Sequence, residues 1–73
     1  MFPVNTVLEF TDTQYKKGNG KWRVMRVWND GVCFLARLND AGELLPCKPK
    51  NMLNLKDELI AMAIEVGTGK VVV

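Results

Sequence analysis

Residues 21–38 read KWRVMRVWNDGVCFLARL. Two β-rich runs, Lys21–Trp28 and Val32–Leu38, flank Asn29-Asp30-Gly31. An Asp-Gly step between runs of β-branched and aromatic residues is the strongest short-range signal for an antiparallel hairpin. Alternation along the first run places Trp22, Val24, Arg26 and Trp28 on one face, and Arg23, Met25 and Val27 on the other. Both faces carry apolar side chains, which suits a strand covered in part on each side.

Working outward, Asn39-Asp40-Ala41-Gly42 forms a second turn, and Glu43–Leu45 is a short third strand ended by Pro46. The centre therefore reads as a three-stranded antiparallel meander. On the N-terminal side, Val7–Phe10 is a short strand, with Pro3 tolerated only at its start or on an edge. Thr11–Gly20 is polar and contains Gly18-Asn19-Gly20, the composition of a turn or mobile loop tip. Pro46–Lys50 holds two prolines and excludes regular helix.

From Asn54 the period changes. Leu55, Leu59, Met62 and Val66 recur at helical spacing, widened by Ile60 and Ala63, with Asn54 as N-cap and Gly67 as the C-terminal stop. The spacing predicts a helix over about 54–66 with that stripe in the core. Lys70-Val71-Val72-Val73 either closes the sheet as a last strand or leads on into a longer chain, of which these residues would be a fragment. The expected fold is mainly β: an SH3-like small antiparallel barrel of four to five short strands with one C-terminal α-helix. An α+β meander packed on a helix is the alternative. With 73 residues the chain holds a single small domain.

Composition narrows the chemistry. The sequence has no His and no Ser, which removes the commonest general base and every Ser-His or Cys-His nucleophile. Cys33 and Cys47 alone do not begin a zinc site, so neither metal nor other cofactor is expected. Gly67-Thr68-Gly69-Lys70 follows a helix rather than preceding one and lacks phosphate-loop spacing. No enzyme reading finds support in the spacing of the remaining groups. The start MFPVNTVLEF has no basic leader followed by a long apolar run, and no stretch is apolar enough to span a bilayer. A cytoplasmic chain with two buried or half-buried thiols and no membrane partner is the expectation.

Charge placement carries the functional signal. Ten basic and eight acidic residues give a net charge of +2, but they are segregated. Lys16, Lys17, Lys21, Arg23 and Arg26 lie between Thr13 and Asn29 with no acidic residue among them. Basic residues interleaved with Tyr15, Trp22 and Trp28 suit phosphate contact and base stacking. The same residues can also blunt a sheet edge and cover apolar surface. With one tryptophan needed in so thin a core, Trp28 beside the turn is the one expected outside.

Val4-Asn5-Thr6-Val7-Leu8-Glu9-Phe10, Trp22-Arg23-Val24-Met25-Arg26-Val27 and Asp30-Gly31-Val32 together form a pattern. It resembles the β-rich N-terminal accessory module of the B (DDE-type) subunit of heteromeric cut-and-paste transposases. The likeness spans about half of the 73 residues. The stretch Thr13–Lys21 is longer than the family's link, and the catalytic domain has no counterpart. The resemblance implies a non-catalytic interaction module working on DNA or on a partner in a mobile-element complex. The expected contact residues are Lys16, Lys17, Lys21, Arg23, Arg26 and Trp28, acting on the DNA backbone with low sequence specificity. The alternative is a small phage or mobile-element protein that binds a protein partner through its helix or a sheet edge.

Overall fold

The computed structural model describes residues 2–73. Five antiparallel strands form one open sheet in the order β4-β3-β2-β1-β5, accompanied by one α-helix. The strands are β1 (Val7–Phe10), β2 (Gly20–Val27), β3 (Val32–Leu38), β4 (Met52–Lys56) and β5 (Gly69–Val71). Helix α1 (Asp57–Val66) runs directly out of β4 and leads into β5. It thus joins the two opposite edges of the sheet, crossing its inner face. This is the small barrel-like β architecture with a C-terminal helix expected from the sequence, left open between β4 and β5.

The central hairpin forms where Asp30-Gly31 predicts it. Gly31 has φ 85°, while Asn29 and Asp30 keep negative φ. The Gly31 amide donates to the Trp28 carbonyl and the Trp28 amide to that of Val32, so this is a three-residue turn closed by a left-handed glycine. Asn39–Gly42 repeats the same bonding, with the Asn39 amide donating to Glu43.

Two corrections concern the third strand and the helix start. Glu43–Leu45 is not a strand; only an isolated bridge joins Leu44 to Leu38. The true neighbour of β3 is β4, paired Cys33 to Leu55 and Leu35 to Leu53. Residues 52–56 alternate, with Leu53 and Leu55 inward and Met52, Asn54 and Lys56 outward. Leu55 and Leu59 also satisfy helical spacing, so periodicity alone does not separate this strand from the first turn of a helix. Asn54 therefore caps nothing; the N-cap is Lys56, with Asp57 and Glu58 at the positive helix end. Gly67 does end the helix, at φ 89°, its amide reaching the Ala63 and Ile64 carbonyls.

The core lies between the inner face and α1: Leu8, Phe10, Trp22, Val24, Cys33, Leu35 and Ile60. The helix contributes Ile60, with Ala63 packed at its margin. The stripe predicted to be buried is split: Leu55, Ile60 and Ala63 pack on the core, while Leu59, Met62 and Val66 are exposed. A helix bridging the sheet edges needs only a narrow contact, and the turn from β4 into α1 sets which side makes it. Tight packing holds the far end, where a Cβ on Gly69 would sit 3.0 Å from the Phe10 ring and 3.1 Å from Ala63. The terminal valines do close the sheet: Val71 pairs with Leu8, and the Val72 amide donates to Val7.

Candidate nucleic-acid interface

Strand β2 decides which basic residues meet. Trp22 and Val24 point into the core, so Lys21 and Arg23 point outward. Regular alternation would then put Arg26 and Trp28 on the inner face with Trp22 and Val24. A β-bulge between Val24 and Arg26 prevents this. Met25 is the extra residue: Val24 pairs with Leu35, and Arg26 with Phe34. Beyond the bulge the phase is inverted, so Val27 packs on the core opposite Cys33, and Arg26 and Trp28 join the outer face. The predicted face Trp22-Val24-Arg26-Trp28 does not exist.

The bulge thereby aligns Lys21, Arg23 and Arg26 on the outer face, with Trp28 at its end. Neighbouring outward positions on one strand lie about 6.6 Å apart. Across the strands, register sets Lys70, Glu9, Lys21 and Leu38 in one row, and Val7, Arg23, Ala36 and Met52 in the next. Arg26, Phe34 and Asn54 follow. Lys56 extends the basic surface on β4, opposite Val32. Glu9 is the acid facing this array and is engaged by Lys70 at 3.4 Å. Among the described residues, Lys21, Arg23 and Arg26 belong to no ion pair.

Trp28 is 41% exposed and meets Phe34 edge to face, with ring centroids 6.2 Å apart. A recess of about 390 Å³ opens beside it, lined by Met25, Arg26, Trp28, Phe34 and Asn54. A second, of about 280 Å³, lies among Trp28, Asp30, Val32 and Asn54. The prediction that Trp22 is buried and Trp28 exposed agrees with this placement.

Lys16 and Lys17 stand apart. They lie on a 3-10 turn, Lys16–Gly18, that caps the inner side of the sheet. The Trp22 indole donates to the Gly18 carbonyl at 2.9 Å, and a Gly18 Cβ would approach Leu53 at 4.0 Å. Arg37 pins the same loop: its guanidinium lies 4.3 Å from the Trp22 ring centroid and donates to the Lys17 and Asn19 carbonyls. Of the two expectations for this loop, a turn or a mobile tip, the turn holds, and it is tied at three carbonyls. Arg37 spends its charge on this structural work, and sequence alone gave no sign of it because its partners are backbone atoms of a distant loop.

The cysteines lie on opposite sides of the sheet. Cys33 is in the core as expected, but Cys47 is exposed on the Pro46–Lys50 stretch rather than buried or half-buried; both are free thiols. Burial, reinforced by the negative charge of Asp57, pushes the Cys33 thiol up, away from the reactive thiolate form. Among the described residues there is no group of three or more metal-ligating side chains, and no helix is long and apolar enough to cross a membrane. No protein-family model matches the chain, and no curated protein or solved structure is significantly similar to it.

Proposed function

We propose that this domain is a non-catalytic module that contacts the DNA backbone through the outer face of its sheet. The observation that carries the reading is the row Lys21, Arg23 and Arg26, brought onto one face by the bulge and left without acidic partners among the described residues. Cations held by a sheet and not neutralised by the fold are available to phosphates, and binding then releases the counterions condensed on the nucleic acid. Contacts of this kind fix position and carry little sequence information. Lys16 and Lys17, on the other side, fall outside this row. The resemblance of residues 4–32 to a transposase accessory module supports placing the contact within a mobile-element complex.

Three phosphate contacts give log K against log salt a slope of about −2 to −3. Fluorescence anisotropy with a random-sequence duplex should then show affinity falling roughly 15- to 60-fold between 50 and 200 mM salt. A slope near zero would sink the proposal.

A second reading is favoured by one observation. Leu59, Met62 and Val66 form an exposed apolar strip on α1, beside a groove of about 160 Å³ that includes Tyr15, Leu53 and Leu55. A helix face of this kind suits a protein partner. It lies on the opposite side of the domain from the basic row, so mutations on one face discriminate between the two.

A further inference from the structure

We infer that the recess beside Trp28 is a base-stacking site and that the preferred ligand is single-stranded rather than duplex nucleic acid. The inference rests on the backbone-contact reading above and adds to it the part of the ligand that the phosphates do not supply.

Trp28 stands at the end of the cation row with recesses on two sides that share Asn54. The larger, about 390 Å³, is within the size range of small-ligand sites. Its lining divides by chemistry. Trp28 and Phe34 offer aromatic surface, Met25 adapts to an apolar ring, Arg26 offers charge, and exposed Asn54 offers an amide donor and acceptor. An aromatic face, a cation for the adjoining phosphate and an amide for a base edge together match one nucleotide whose base is unstacked.

A duplex cannot use this arrangement. Its base faces are covered by their neighbours, and it presents only edges in the grooves. Groove readers insert a helix or a two-stranded ribbon. Here the helix lies across the inner face, and the outer face offers a sheet surface ending in an exposed indole. Sheet surfaces with aromatic side chains and flanking cations suit splayed single strands. The bulge ties these parts together: by inverting the phase after Val24 it delivers Arg26 to the cation row and Trp28 to the recess in one step.

The test compares three fluorescein-labelled probes of equal length by anisotropy: oligothymidylate, the same backbone carrying abasic sites, and a duplex. Trp28→Ala and Trp28→Tyr are measured beside the parent, and a circular dichroism melt confirms that each variant folds. The parent should bind oligothymidylate roughly 5- to 100-fold more tightly than the abasic strand. Trp28→Ala should erase that difference while keeping the salt slope, and Trp28→Tyr should restore most of it. Quenching of tryptophan fluorescence by oligothymidylate but not by the abasic strand would support the same conclusion. Equal, salt-dependent binding of all three probes would overturn the stacking site and leave the backbone contact standing. No binding to any probe at low salt would overturn both.

Discussion

Trp22→Ala is expected to remove about half or more of the domain's stability. Trp22 has no exposed surface and is the largest fully buried side chain. Removing a buried tryptophan costs about 3–5 kcal/mol. The mutation also takes the donor from the Gly18 carbonyl and the ring from beneath Arg37, so the Lys16–Gly18 turn loses one of its three anchors and the support of the other two. A domain of this length has a total stability of about 4–11 kcal/mol. The loss is therefore about half of a mid-range value and all of a low one. Trp22→Phe separates the contributions: it keeps most of the apolar volume and leaves the Gly18 carbonyl unpaired, for a cost of about 1–3 kcal/mol. Urea unfolding followed by far-ultraviolet circular dichroism measures both. A Trp22→Ala transition within about 1 kcal/mol of the parent would show that the core does not depend on this side chain.

The largest functional effect is expected from neutralising the cation row. Lys21→Gln, Arg23→Gln and Arg26→Gln together should weaken DNA binding by about 100-fold or more at low salt and flatten its salt dependence. Glutamine keeps part of the aliphatic stem, so the apolar surface beneath stays covered. The midpoint of thermal unfolding should be nearly unchanged, because none of the three belongs to an ion pair among the described residues. Lys16→Gln with Lys17→Gln is the comparison, removing two charges from the other side of the sheet. If that pair weakens binding as much as the outer-face triple, the cations act as diffuse net charge and the outer face is not the site.

Much of the fold was legible because local chemistry and global structure agree. Asp30-Gly31 marks a turn whose glycine does take a left-handed conformation, and Gly67 ends the helix for the same reason. The failures have a common physical origin in patterns that fit two periods or in one residue that changes phase. Leu53-Asn54-Leu55 alternates as a strand, while Leu55 and Leu59 keep helical spacing, and only pairing with β3 decides between them. The exposed strip on α1 was read as core because a helical stripe does not say which side its neighbours occupy. The candidate site suffered most from phase. Each basic residue was visible in the sequence, but their faces depend on one bulge at Met25, and the run KWRVMRVW contains nothing that distinguishes a bulge from regular alternation. Trp28 was expected outside on other grounds, its place beside the turn.

The position of β5 has a consequence for how the chain reaches this structure. Strands β1, β2, β3 and β4 pair as neighbours in sequence, with β2 and β3 joined by a tight turn, whereas β5 must wait, since Val71 faces Leu8 from the other end of the chain. Closing so long a loop carries an entropic cost before any contact repays it. The meander should therefore assemble first, and the β1–β5 ladder last, after α1 has docked and carried Gly69 back across the sheet. The same seam should be the first to open. Native-state amide exchange should find the lowest protection at Val7 and Val72, whose amides bond across it, and the highest at Val24 and Leu35 in the centre. Equal protection at both places would mean that the sheet opens as one unit.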